Sequence, residues 1–109
     1  MYVTIRRYQA SPRDVGEIVR RVQESLVPIV RRTPGFVSFN LLDVGGGALA
    51  SVGVFEQKTG AIASTRMAAD WIKRAGLSDK LPTPPVVIEG DVALTATVEP
   101  PERDLTAWG

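Results

Sequence analysis

The stretch Val54-Phe55-Glu56-Gln57-Lys58-Thr59-Gly60, leading into residues 61–74, decides the fold of this chain. Val54 and Phe55 belong to an alternating run that reads as a strand. Thr59 stands where a side-chain oxygen can cap a helix, predicted over about 61–75 and stopped by Gly76. A strand passing through so short a turn into an amphipathic helix is one part of a compact order of alternating strands and helices. The rest of the sequence supplies the other parts.

Working back, residues 36–43 and 49–57 read as two strands joined by Val44-Gly45-Gly46-Gly47-Ala48. A glycine cluster between alternating runs signals a hairpin. It is not a phosphate loop, which needs a helix start just after it and, in the Walker form, a following Lys-Ser/Thr. Residues 2–9 alternate Tyr2, Thr4, Arg6, Tyr8 against Val3, Ile5, Arg7, Gln9, a period of two that predicts the first strand. Ser11-Pro12-Arg13-Asp14 then opens a helix, with Ser11 as N-cap. Val15, Ile18, Val19, Val22, Leu26, Ile29 and Val30 give it one buried stripe through about residue 32. Pro28 has no N–H for the Glu24 carbonyl, so a kink is expected there. In the second helix Ile62, Thr65, Ala69 and Ile72 form one ridge, with Ser64, Ala68 and Trp71 beside it. Pro82-Thr83-Pro84-Pro85 forces an extended link to a last strand over 86–98, with a bulge or bend at Gly90.

The order is βαββαβ, which predicts an α+β, ferredoxin-like domain over residues 1–98 and a charged tail over 99–109, where Trp108 can dock on a neighbour. Two helices cover one face of a four-stranded antiparallel sheet. Alternation assigns Val3, Ile5, Val37, Phe39, Leu41, Val52 and Val54 to that covered face. The other face then carries Tyr2, Thr4, Arg6, Tyr8, Phe36, Ser38, Asn40, Leu42, Leu49, Ser51, Gly53 and Phe55. So aromatic and aliphatic a surface calls for a partner, and a second copy across a two-fold axis is the economical one. A homodimer is expected.

Composition narrows the chemistry. The 109 residues suit one domain. Thirteen Lys and Arg against twelve Asp and Glu leave +1, with no basic run of the kind a nucleic-acid binder shows. No apolar stretch approaches the roughly 20 residues of a membrane helix. With no cysteine and no histidine, thiolate chemistry, Ser-His catalysis and imidazole ligation of a metal or haem are excluded. The acidic residues are scattered, so no metal and no cofactor are expected. The first residues form a strand pattern rather than a secretory signal, and a cytoplasmic protein is expected.

Thr33-Pro34-Gly35-Phe36, Val54-Phe55-Glu56, Ala69-Asp70-Trp71 and the closing Glu89-Gly90-Asp91-Val92 resemble the antibiotic-biosynthesis-monooxygenase-like family over residues 1–98. The resemblance implies a dimeric α/β barrel built from ferredoxin-like subunits, each with a small pocket between sheet and helices. Some members of that family oxidise aromatic polyketides with dioxygen and neither metal nor flavin. Others degrade haem through an axial histidine that this chain lacks. The metal-free branch places tryptophan, asparagine, tyrosine and arginine around its substrate. Trp71 matches by position; Asn40, Tyr8 and Arg66 match by residue type.

The candidate catalytic residues are therefore Asn40, Trp71 and Arg66, and the candidate ligand contacts are Arg6, Tyr8, Phe55 and Trp71. All but Phe55 also have a plainer reading. Trp71 either anchors the core with its N–H on a backbone carbonyl or stacks on a substrate and donates to a developing oxyanion. Asn40 satisfies its amide either on a ligand or across the dimer. Arg66 faces Asp70 at i+4, the spacing of a solvated ion pair. Tyr2 and Tyr8 share a face and either line a cavity or fill the dimer seam. Arg6 and Arg7 lie on opposite faces, so one points into protein; it pairs with Glu56 or Glu89, or holds a phenolate or carboxylate ligand. The expected function is the binding of a small aromatic or apolar molecule, with cofactor-independent oxygenation as its chemistry. A non-catalytic binding or structural dimer is the alternative.

Overall fold

The computed structural model of the chain describes residues 1–98; the tail and the docking expected of Trp108 lie outside the described residues. The strands are β1 (Tyr2–Gln9), β2 (Phe36–Gly45), β3 (Ala48–Phe55) and β4 (Val86–Asp91). They form one antiparallel sheet in the order β2-β3-β1-β4. Two helical segments complete the predicted βαββαβ order. The second is α3 (Lys58–Arg74), and the first runs over 12–30. No described helix is long and apolar enough to cross a membrane.

The first segment changes pitch along its length. A 3₁₀ turn (Pro12–Asp14) leads into α1 (Val15–Arg21), then a π turn (Val22–Leu26), then α2 (Val27–Val30). The irregularity expected at Pro28 takes the form of this π turn just before it. Widening the helix there eases the proline ring away from the carbonyl four residues back. Ile18, Val22, Leu26 and Val30 are buried, whereas Val19 is exposed. Ser11 holds the extended backbone of an N-cap without a side-chain cap bond.

Helix α3 starts earlier than expected, so Thr59 lies inside it and Gln57 is the N-cap. Its buried ridge is Gly60, Ala61, Ser64, Ala68 and Trp71. Small residues let the helix axis approach the sheet closely, and Ile62 on the neighbouring ridge is left exposed. The β2–β3 hairpin turns at Gly46-Gly47 with positive φ at Gly45, Gly46 and Gly47. A Cβ on Gly47 would overlap the Ala10 carbonyl oxygen. Around it, the Ala10 N–H donates to the Gly47 carbonyl at 2.9 Å and Gln9 Nε2 to the Gly46 carbonyl at 2.9 Å. This knot fixes β1 against the hairpin. The last strand is shorter than expected: it ends at Asp91, and residues 93–98 are exposed and outside the sheet. Gly90 pairs with Val3 in regular register.

The largest departure concerns the faces of the sheet. Tyr2, Thr4 and Arg6 of β1 and Leu49, Ser51, Gly53 and Phe55 of β3 are buried under the helices. Val3, Ile5, Val52 and Val54 point to the opposite face and are half-buried. In β2 a bulge at Val37 breaks the alternation, so that Phe36 pairs with Phe55, Phe39 with Gly53 and Leu41 with Ser51. Phe36, Phe39 and Leu41 therefore face inward, and Ser38, Asn40 and Leu42 outward. The assignment by hydrophobicity is inverted for β1 and β3. Tyrosine and arginine bury long bodies beneath the helices while their polar tips reach partners or an opening.

Candidate functional site

Arg6 is the unusual residue of the interior. It sits in mid-β1, across from Ser51 of β3 and Val87 of β4, and is 2% exposed. Its Nη1 donates to Thr65 Oγ1 at 3.1 Å and Ser64 Oγ at 3.5 Å on α3. Both hydroxyls spend their own protons on the Ala61 carbonyl, at 3.2 and 2.7 Å, and so turn lone pairs toward the guanidinium. Arg6 Nε and Ser51 Oγ are buried with no partner among the described residues. The expected ion pair with Glu56 or Glu89 does not form. Glu89 accepts from Thr4 Oγ1 at 3.3 Å, and Glu56 is exposed beside Gly35. The ion pairs among the described residues, Arg20–Glu24, Arg21–Glu17 and Lys80 with Asp14 and Glu17, leave Arg6 out.

Arg6 borders two spaces. The inner one is a cavity of about 30 Å³ between sheet and helices, room for roughly one water. Its walls are apolar: Ile18, Val22 and Leu26 from the first helical segment, Phe39, Leu41 and Leu49 from the sheet, and Ala68 and Trp71 from α3. The outer one is an open cleft of about 440 Å³ between α3, the β1–β4 edge and the link 78–85. Thr65, Ala69, Ile72 and Lys73 form its helix wall, Val87 its strand wall, and Ser78 with Pro82-Thr83-Pro84-Pro85 its far wall. Arg6, Tyr8, Ile72 and Leu81 line both spaces.

The far wall is anchored. Leu77 is fully buried, Arg21 donates to the Ala75 carbonyl, and Lys80 Nζ reaches Asp14 at 3.4 Å and Glu17 at 3.8 Å. Pro82, Pro84 and Pro85 stiffen the rest of the link.

Of the residues anticipated from sequence, the structure brings Arg6, Tyr8 and Trp71 together around these spaces. Trp71 is buried on the α3 ridge, and its Nε1 donates to Ser25 Oγ of the π turn at 2.7 Å. That N–H is engaged, which favours the anchoring role over oxyanion donation, with a hydroxyl in place of the expected carbonyl. Asn40 is exposed on the outer face opposite Val52, away from both spaces. Arg66 is exposed on α3 and lines neither, and it forms no ion pair with Asp70 among the described residues. Phe55 is fully buried edge-on to Phe36, with ring centroids 6.0 Å apart, and does not reach the cleft. Ser51, Ser64, Thr65 and Lys73 belong to the site unanticipated. Ser64 and Thr65 lie about two turns before Trp71, and Ser64 shares its ridge, a spacing that could have joined them to it.

Elsewhere on the inner face, burial pushes the Tyr2 phenol above its ordinary value of 10.0, and the charges of Glu89 and Asp91 push the same way. Among the described residues no three acidic side chains gather as a metal site would require.

No protein-family model matches the sequence, and neither does any curated protein. Solved structures do resemble it. A Nitrosomonas europaea protein of unknown function is similar at TM-score 0.70 and 17% identity, over 91% of this chain and 95% of that one. A second protein of that organism, assigned by name to the antibiotic biosynthesis monooxygenases, matches at TM-score 0.67 and 17% identity, over 84% and 89%. A Streptomyces coelicolor monooxygenase, solved with nanaomycin D, matches at TM-score 0.65 and 17% identity, over 88% and 92%. At such identities the likeness is one of fold. The chain has the ferredoxin-like α+β fold of the antibiotic-biosynthesis-monooxygenase-like proteins.

Proposed function

We propose that this protein binds a small aromatic or apolar molecule between α3 and the sheet, and does so as a homodimer. The observation that carries the proposal is the meeting of the apolar inner cavity and the open cleft at Arg6, Tyr8, Ile72 and Leu81. Apolar walls with a few convergent polar groups are the usual make-up of a small-molecule site. Val3, Ile5, Val52 and Val54 support the dimer, because a β-branched outer face of this kind is well suited to a second copy.

The chemistry we assign to the site is metal- and flavin-independent oxygenation of a phenolic substrate. The fold shared with named monooxygenases, one of them solved with nanaomycin D, supports this assignment. An ionised phenol activates its own ring system toward dioxygen: a ring methylene becomes a carbonyl and the second oxygen atom leaves as water. The protein would orient the substrate and keep water from the reacting carbon. Tyr8 and Arg6 are the polar groups within reach of both spaces. Oxygen uptake with anthrone tests the assignment, and uptake no faster than in buffer overturns it. Non-catalytic binding is the second reading, favoured by the engagement of the Trp71 N–H with Ser25. It predicts anthrone binding without oxygen uptake.

A further inference from the structure

A buried guanidinium normally faces a carboxylate, because desolvating an arginine without compensation is costly. An arginine keeps its charge in any protein setting. Arg6 therefore brings a positive charge into the interior and, among the described residues, donates there to two neutral hydroxyls, Thr65 Oγ1 and Ser64 Oγ. Its Nε is unpartnered among the described residues, and so is the hydroxyl of Ser51 across the sheet. The cleft adds a second cation, Lys73, and among the described residues no acidic side chain lines either space. Neutral and cationic groups converge where one anion is missing.

We infer that the ligand of this cleft is an organic monoanion, its oxyanion head on Arg6 and its apolar body against Ile72, Leu81 and the proline wall. The inference rests on the binding reading proposed for this site and names the class of molecule. The inner cavity, at about 30 Å³, admits a water or the tip of a head group but no ring, so the body lies in the cleft of about 440 Å³. One buried guanidinium neutralises one negative charge. A second charge on the ligand would be left to Lys73, which is exposed and solvated. Carboxylate and phenolate share the required chemistry. A carboxylate presents two oxygens to the guanidinium fork, a phenolate one.

The test is calorimetric titration of the wild-type protein with three one-ring probes: 4-nitrobenzoate, 4-nitrophenolate at mildly alkaline pH, and neutral 4-nitrobenzamide. The same titrations are made on Arg6→Gln and Arg6→Lys. At least one anion should bind about tenfold or more tightly than the amide, the usual weight of a charge-assisted contact. The preference should vanish in Arg6→Gln and persist in part in Arg6→Lys. Preference for 4-nitrobenzoate identifies the carboxylate, and preference for 4-nitrophenolate the phenolate. Equal binding of amide and anions overturns the charge assignment and leaves the pocket standing. Failure of all three to bind overturns the pocket reading with it. The wild-type comparison decides the matter even where a variant does not fold.

Discussion

In β1 and β3 the two faces of the sheet carry the sets of residues that alternation would have assigned the other way round. The face beneath the helices holds Tyr2, Thr4, Arg6 and Ser51, while the face turned outward holds Val3, Ile5, Val52 and Val54. On the inner face, polar groups have partners or border the inner cavity or the cleft. Thr4 donates to Glu89, and Arg6 donates to Ser64 and Thr65. On the outer face no element of the described chain covers the valines, and Ile88 is 66% exposed. The lesson is that the β-branched residues of a strand need not be the ones its own helices cover. In the homodimer proposed above, a second subunit would cover the outer face and free the helix side to carry a polar site.

The comparison depends on strand register, since a slip by one residue exchanges the faces. The largest effect is therefore expected at Gly47, where a side chain would strain a positive φ and strike the Ala10 carbonyl. Gly47→Ala should cost about 3 kcal/mol or more in chemical denaturation. A loss below about 1 kcal/mol would show that the hairpin does not pin the register.

A charge placed on the outer face probes its partner directly. Ile5→Glu should convert a dimer to a species of half the mass in light scattering, with the circular dichroism of the fold retained. An unchanged mass would remove the reason given for the outward valines.

Smaller effects sharpen the inner face. Ser25→Ala and Trp71→Phe each break the Nε1–Oγ bond and should each destabilise by about 1 kcal/mol. The double variant should cost less than the sum, because both remove one bond. Additive losses would mean that Trp71 is held by packing alone. The smallest effect is one of pH. The folded state raises the Tyr2 phenol, so it keeps its proton where the unfolded chain has already lost it. Stability should be whole below the ordinary value of 10.0 and fall as pH rises from there through the folded value. Tyr2→Phe should flatten that alkaline slope, and an unaltered slope would place its origin elsewhere.

Much of the architecture was legible because it is written in local chemistry. The alternation of residues 2–9, the glycines of the hairpin and the 3.6-residue pattern of both helical segments each reflect a backbone preference that needs no distant partner. The facing of the sheet was not legible. Alternation separates two sets of residues without saying which set a helix will cover, and the bulge at Val37 then breaks the alternation within β2. The site suffered from the same cause. Arg6, Tyr8 and Trp71 were found as residues with chemistry to offer, yet Asn40 faces the wrong way, Arg66 is on the solvent side of α3, and Phe55 is sealed beneath it. Ser64 and Thr65 gain meaning only from the arginine that meets them across space.

The buried arginine also bears on how the protein behaves when handled. A buried cation whose partners among the described residues are neutral hydroxyls lowers the stability the fold could reach, and methionine at that position should melt at a higher temperature. Occupancy of the cleft would restore the difference, since a ligand that binds only the folded state raises its melting point. A rise in melting temperature is thus a direct way to search for the natural ligand among candidate molecules, with Arg6→Met as the control that should no longer respond to anions.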